Sequence, residues 1–358
     1  MNAAPARYID DTLILHQVTD GDAERWDQYV RDSSAGLPLH LSGWRQVMQA
    51  TYNYKTHYLL AQDQGQIVGV MPFFLVPSFL TGKRAMTMPG GVCADNESIA
   101  VKLVQSGIET AADEGIDKVF IQDSRQIPLD NWSSESNHVY WLLTLGANEE
   151  ELWKKLDGNI RRQVRKAQKN NLTVDIDRTG DLLDPFYDVF SRFTHQVGTP
   201  VFGRQFLENT INFFPGGFNI AVVWYKKRPI AAYFQLQMND TVYGMWGAAL
   251  PETIKLRPSY IALWEIMRDA IENGYHYLDM GRSPAASNAS KFKGQWGGTS
   301  FPIYQTIING NRKEPVRSVT GQVQSNDQFK VFMKIWSKMP LSLTRRLGPK
   351  LRWHVPFA

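Results

Sequence analysis

Cysteine is nearly absent: Cys93 stands alone among 358 residues. One thiol closes no internal disulfide, so packing has to hold the fold together, which fits a reducing compartment. A single cysteine of this kind reads as a small buried hydrophobe. Long apolar runs are missing as well. The most apolar stretch, Ile67 to Leu80, is short and is interrupted by Pro72 and Pro77, so no helix is expected to cross a membrane. The opening segment MNAAPARYIDDTLILHQVTD has no charged-then-apolar signal pattern, and a cytoplasmic location is expected. GxSxG, HExxH, a Walker loop and Cys/His metal spacings are all absent, so no motif supports a nucleophile-elbow hydrolase, a zinc protease, a P-loop enzyme or a metal site. The seven histidines are scattered.

What is present is ordinary globular composition, with 43% hydrophobic and 21% charged residues over a length that suits two domains. Aromatic residues make up 12% and include 11 tryptophans, so the core or the sites are aromatic-rich. The net charge of +4 is unevenly spread. From Phe329 to the end there are seven Lys/Arg and no acids, which leaves a mildly acidic body and a basic tail. That pattern argues against a nucleic-acid-coated protein and for local basic patches.

Taken in order, the chain reads as a repeated plan. Trp44, in a helix entered through Ser42, reads as core. A hairpin runs His57–Gln62 and Gln66–Val76 around Asp63-Gln64-Gly65, and a helix Ile99–Glu114 stops at Gly115 before a strand Asp117–Gln122. Another strand covers Val139–Leu145. The second half repeats this: strands Asn219–Tyr225, Ile230–Met238 and Thr241–Ala248, then a helix from Pro258 that stops at Gly274. The helix-end, Gly, strand pattern AADEGIDKVFIQD recurs as RDAIENGYHYLDM. A duplicated α/β (α+β) unit with mainly antiparallel mixed sheets is the expected fold class.

Three stretches stand out. Between the halves, a helix from Glu149 to Lys169 carries a stripe of Leu152, Leu156, Ile160 and Val164. Lys154 to Lys169 hold seven positive charges against Asp157 alone, either a solvated face with favourable ends or a phosphate-binding surface. From Tyr275 to Gly298, YHYLDMGRSPAASNASKFKGQWGG, a strand gives way at Gly281 to a small polar loop running to Ser290. The loop is pinned by Phe292 and Trp296, with Arg282 at one end and Lys291 and Lys293 at the other. It reads as an anion-holding loop or as a surface loop capped by a core tryptophan. The third stretch is the tail. Phe329, Phe332, Met333 and Trp336 share one helical face and Lys330, Lys334 and Lys338 another, which predicts contact of 329–358 with an anionic membrane or docking on the protein's own body.

LDMGRS followed by KFKGQWGG resembles the FemAB-like acyltransferases, in the branch found with exopolysaccharide and exosortase (PEP-CTERM) loci, where the pattern reads roughly FDFGRS…FKKQWG. Val197-Gly198-Thr199-Pro200-Val201 and the basic run Ile160 to Lys169 agree with it, and the resemblance runs from about His40 to the C-terminus. It implies two tandem GNAT-like domains, set here at 8–148 and 149–310, with 311–358 as the basic tail. It implies transfer of an acyl or aminoacyl group to an amine of a cell-envelope precursor: an exopolysaccharide amino sugar, a lipid-linked glycan or a peptidoglycan-type acceptor. Charged tRNA or acyl-CoA would be the donor substrate, with no tightly bound cofactor. Lys255-Leu256-Arg257-Pro258-Ser259 lacks the glycines that an acyl-CoA pyrophosphate turn normally has, and Pro258 removes a donor.

The expected catalytic groups are Lys293 (implied by the resemblance), Asp279 (by its place at a strand end) and His195 (beside the Gly198-Thr199-Pro200 motif). Expected substrate-binding residues are Phe292, Trp296, Arg282, Ser283, Thr199, Arg161, Arg162 and Arg165. Tyr233, Tyr243 and Trp246 on adjacent strands are candidates to stack bases or sugar rings, which would also serve a non-catalytic RNA- or glycan-binding protein of a polysaccharide biosynthesis complex. No metal site is expected.

Overall fold

The computed structural model describes residues 7–8, 13–80, 82–129, 132–310 and 327–356. They form two compact units. One takes the chain as far as Ser136 and resumes at Ile303 and again at Lys350; the other takes Asn137–Pro302 and Gln328–Pro349. Both are mixed α/β units whose strands pair mainly antiparallel.

The first unit holds β1 (Leu13–Gln17), α1 (Ala23–Asp32), α2 (Gly43–Tyr52), β2 (Leu59–Asp63), β3 (Gln66–Met71), β4 (Phe73–Val76), β5 (Arg84–Thr87), α3 (Glu97–Asp113) and β6 (Lys118–Asp123). β2 and β3 form the expected hairpin, and its turn residues Gln64 (φ 48°) and Gly65 (φ 79°) have the positive φ that a tight hairpin turn requires. The hairpin's second strand does not run unbroken to Val76. Pro72 has no N–H for a ladder, and the chain beyond it pairs as β4 with β5 instead. Asn96 caps α3 by accepting the Ile99 N–H at 3.0 Å. The helix then lays Leu103, Val104 and Ala111 into the core. Trp44 is fully buried, with its indole N–H donating to the Pro38 carbonyl at 3.0 Å.

The second unit holds β7 (Ser134–Thr144), α4 (Glu149–Lys155), α5 (Gly158–Lys169), β8 (Thr173–Asp177), α6 (Leu183–Gln196), α7 (Arg204–Phe213), β9 (Phe218–Tyr225), β10 (Arg228–Met238), β11 (Thr241–Ala249), α8 (Pro258–Glu272), β12 (Tyr277–Pro284), α9 (Asn288–Gly294) and the start of β13 (Thr299–Asn309). Its strands lie in the order β8-β9-β10-β11-β12-β7. α5 and α8 cover one face, with Ile160, Val164, Ile261, Trp264 and Met267 packed over Val223, Val242 and Leu278. The other face carries an aromatic cluster in which Phe186, Phe190, Phe202 and Phe206 meet Phe218, Phe234 and Trp246. The long helix expected from Glu149 to Lys169 is two helices. Leu156 is extended (ψ 141°), and Asp157 starts α5 afresh by accepting the Asn159 N–H at 2.7 Å. The stripe survives the break: Leu152, Leu156, Ile160 and Val164 are all buried, each contributing about 2 kcal/mol by leaving water.

The tail contributes α10 (Asp327–Trp336) and α11 (Leu341–Arg352), while residues 311–326 lie outside the described residues. Within the second unit the tail docks on α6 and the segment after it. Met333 lies so close to Gly198 that a β-carbon there would collide with its backbone, and Val201 and Gly203 receive Gly348 and Pro349. Arg345 reaches Asp188 at 2.5 Å. Trp336 is buried and stacked on Phe332. The face proposed from sequence for a membrane is therefore, at Phe332, Met333 and Trp336, turned toward this packing; the side chain of Phe329 lies outside the described residues. Within the first unit, Trp353 donates its indole N–H to the Tyr52 carbonyl at 2.9 Å, and buried Arg84 donates to the His354 carbonyl.

Candidate active site

The LDMGRS stretch keeps its strand past Gly281 and ends it only at Pro284, four residues later than expected. The polar loop expected up to Ser290 is replaced by the short helix α9. Ser287 caps it by accepting the Ser290 N–H at 3.1 Å, a capping pattern that the small polar composition concealed. Lys291 and Lys293 are thus helical, still on different faces: Lys291 is exposed and Lys293 partly buried.

Three contacts fix α9. The indole N–H of Trp141 donates to Ser290 Oγ at 3.0 Å. Gly294 lies on the Trp141 ring so closely that an added β-carbon would come within 2.8 Å of it. Phe292 and Trp296 pack edge-on to one another and both against Tyr260 on α8. Held this way, Lys293 places Nζ 2.7 Å from the carbonyl oxygen of Gly281 and 3.2 Å from that of Arg282.

Those carbonyls sit at an irregularity in β12. The register with β7 runs Tyr140↔Arg282 and then Leu142↔Asp279, so one residue on β7 opposes two on β12. Gly281 takes φ 75°, and a β-carbon there would collide with the Gly244 carbonyl of β11. Asp279 Oδ1 accepts the Gly281 N–H at 2.7 Å. Burial pushes the Asp279 carboxyl up to about 6, with the Gly281 N–H and the Lys293 cation pulling the other way. Burial also lowers the Lys293 ammonium to about 8; Asp279 opposes that shift and Arg282 adds to it. A carboxylate and an ammonium that feel one another's charge, both partly out of water, is the chemistry the structure assembles here.

β11 and β12 pair in parallel over only three residue pairs, from Thr241↔Tyr277 to Tyr243↔Asp279, and the ladder stops at Asp279. β11 is also bulged against β10, where Gln235 opposes Gly244 and Phe234 opposes Trp246. Residues 154–293 match the family model of an acetyltransferase (GNAT) domain. No curated protein matches the sequence. Solved structures share the fold at low identity. FemX is 15% identical with a TM-score of 0.64, covering 82% of this chain and 97% of its own. L-PGS from Bacillus licheniformis is 13% identical with a TM-score of 0.54, over 89% and 98%. A tandem GNAT protein from the clavulanic acid biosynthesis pathway is 8% identical with a TM-score of 0.50, over 85% and 100%. The chain is a mixed α/β protein with GNAT-like folds and mainly antiparallel sheets.

In this GNAT frame the other predicted residues scatter. His195 pairs its Nδ1 with Thr344 Oγ1 of the tail at 3.2 Å, and Thr199 donates its N–H to the Thr194 carbonyl at 2.8 Å in the turn that ends α6. The expected stacking trio is not one surface. Tyr233 packs into the core under α8 and lies across Gly247, while Trp246 joins Phe202, Phe206 and Phe234 on the opposite face. Alternation along β10 separates them. Tyr243 stands opposite Asp279, and burial followed by the Asp279 charge raises its hydroxyl to about 12. Ser283 is buried, and its Oγ has no hydrogen-bond partner among the described residues. On α5, Arg162 and Arg165 are exposed, and Arg165 lies 5.3 Å over the Trp153 ring. At the start of α8, Arg257 takes φ 68° ahead of Pro258, so no glycine turn precedes this helix.

Trp141, Tyr260 and the carbonyl of Gly281 are site-forming groups that sequence reasoning missed. Trp141 sits in a strand whose neighbours Tyr140 and Leu142 are also apolar or aromatic, and nothing local marks which of them faces α9.

Proposed function

We propose that this protein is an N-acyltransferase that moves an acyl or aminoacyl group onto an amine of a cell-envelope precursor, an amino sugar of an exopolysaccharide or a peptidoglycan-type acceptor. The observation that carries the reading is the Lys293 ammonium tied to two backbone carbonyls beside the half-buried Asp279 carboxylate. Two of its three N–H groups are committed, which aims the third. As the acceptor nitrogen adds to the donor's carbonyl carbon, the C=O electron pair moves to oxygen, and that N–H stabilises the oxyanion. The nitrogen, now cationic, gives its proton to Asp279; as the adduct collapses, the bond from its carbon to the donor's oxygen or sulfur breaks and Asp279 passes that proton to the departing atom, so the donor leaves as an alcohol or thiol. Phe292 and Trp296 exclude water from one side. Arg282 and Ser283 flank the acceptor, while His195 meets Thr344 of the tail and Thr199 closes the turn that ends α6.

The donor is an aminoacyl-tRNA or an acyl-CoA, with Arg161, Arg162 and Arg165 on α5 neutralising its phosphates. The glycine-free entry to α8 favours the tRNA. The FemAB-like motifs LDMGRS and KFKGQWGG support an envelope precursor as acceptor, and FemX shares the fold. The test offers the purified protein labelled aminoacyl-tRNA and labelled acyl-CoA in turn, with amino-sugar acceptors, and reads the product mass. Transfer from neither donor to any amine overturns the reading.

The protein also meets an anionic membrane surface peripherally, through the part of the tail left outside its packing. Val331 and Ile335 are 56% and 58% exposed, and they share one helical face with exposed Lys334. No helix among the described residues is long and apolar enough to cross a membrane.

A further inference from the structure

We infer that the sheet face beside Asp279 carries an acceptor subsite for a pyranose bearing a phosphate, formed by Tyr140, Phe301 and Arg282. The inference rests on the transferase reading and names its acceptor class.

The residues come together through the register. Tyr140 on β7 and Arg282 on β12 are directly opposed, so their side chains leave the sheet on the same side. The adjoining bulge restores Leu142 opposite Asp279, which puts the carboxylate on that side too. The Asp279 charge reaches the Tyr140 hydroxyl, which burial and that charge both raise. Phe301, at the start of β13, stacks on Tyr140 with centroids 5.2 Å apart and planes 19° from parallel. Phe301 is 36% exposed, and Arg282 is exposed.

This face differs from the rest of the sheet. Next to the reacting carboxylate it presents a stacked aromatic pair, a guanidinium and two phenols, Tyr140 and Tyr243, where the strands further along the same face present the cluster of Phe218, Phe234 and Trp246. Stacked rings with an open side offer a flat apolar surface to the C–H face of a sugar, and their mutual contact leaves no slot for a nucleobase between them. The phenols and the carboxylate match ring hydroxyls and an amine. The guanidinium matches a phosphate, which it binds in fork geometry. A neutral sugar would make no use of the guanidinium's charge; a peptide amine would leave the aromatic surface uncovered.

The experiment measures binding of glucosamine 1-phosphate, glucosamine and inorganic phosphate to the full-length protein by calorimetry. Glucosamine 1-phosphate should bind more tightly than either fragment. Phe301→Ala should weaken it about tenfold, the scale of one stacking contact. Arg282→Gln should weaken glucosamine 1-phosphate and leave glucosamine unchanged. Lys293→Met should bind all three as the unaltered protein does, so loss of transfer in that variant with retained binding separates the chemistry from the subsite. Normal transfer by Lys293→Met together with weakened binding in Phe301→Ala would overturn the catalytic assignment and keep the subsite. The subsite is overturned if the unaltered protein fails to bind glucosamine 1-phosphate, if inorganic phosphate binds as tightly, or if Phe301→Ala and Arg282→Gln leave the affinity where it was. Thermal melts of both variants check that the fold persists, and Phe301→Tyr, which keeps the ring, should restore binding.

Discussion

At the scale of single residues, the site turns on Lys293 and its neighbour two positions earlier. Lys293→Met should lower single-turnover acyl transfer roughly a hundredfold, the usual scale for one oxyanion donor. Lys291→Met should be nearly silent, because Lys291 is exposed and Lys293 alone reaches the Gly281 and Arg282 carbonyls. Near-normal turnover by Lys293→Met, or damage from Lys291→Met, would remove the lysine from the chemistry. The two perturbed groups also set a pH profile. Asp279, raised to about 6, has to be ionised to take the proton, so the rate climbs as pH passes about 6. Lys293, lowered to about 8, has to stay protonated, so the rate falls as pH passes about 8. A bell between those limits, losing its acid limb in Asp279→Asn as the overall rate drops, is the expected single-turnover result. A flat profile from pH 5 to 9 would separate these groups from the rate.

At the scale of elements, α9 is only seven residues long and depends on its supports. Trp141→Phe removes the donor to Ser290 and part of the surface under Gly294, while leaving an aromatic in the strand. It should cost transfer activity several-fold through a displaced Lys293, with a melting temperature lowered by only a few degrees. Full activity in a Trp141→Phe protein would show that α9 holds its position without the indole. α5 is the other exposed element with a stated task. Reversing Arg161, Arg162 and Arg165 to Glu should weaken donor binding and flatten its salt dependence. The same salt slope in variant and parent would take α5 out of donor recognition. Both elements were only partly legible beforehand. The apolar stripe along α4 and α5 showed in the four-residue spacing, since burial follows that spacing whether or not the helix is continuous. The break at Leu156 and the helix after Ser287 depended on caps, which are local hydrogen bonds and not composition.

At the scale of the whole molecule, the tail has two faces with different fates. Phe332 and Trp336 belong to packing within the second unit, and Val331 and Ile335 remain outside it. Val331→Ser with Ile335→Ser should therefore abolish sedimentation with anionic vesicles while the melting temperature stays within a degree or two, and Trp336→Ala should lower the melting temperature instead. Equal vesicle binding by the double variant and the parent would confine the tail to a structural role.

The sequence by itself determined the duplicated α/β plan and most strand and helix positions, and it singled out the stretch around Asp279 and Lys293. Those features come from periodicity, turn residues and motif order, all of which act over a few neighbouring positions. Tertiary structure alone decided which groups meet. Tyr233 and Trp246 look equivalent along their strands, yet alternation sends them to opposite faces of the sheet. His195 stands beside a matched motif, yet that motif is where the tail packs. Trp141, Tyr140 and Phe301 come to the site from strands remote in sequence from Asp279 and Lys293 or separated from them by turns. Contacts of that kind depend on strand register and on close backbone approach at Gly281 and Gly294, and no local pattern of residue types encodes a distance across a sheet.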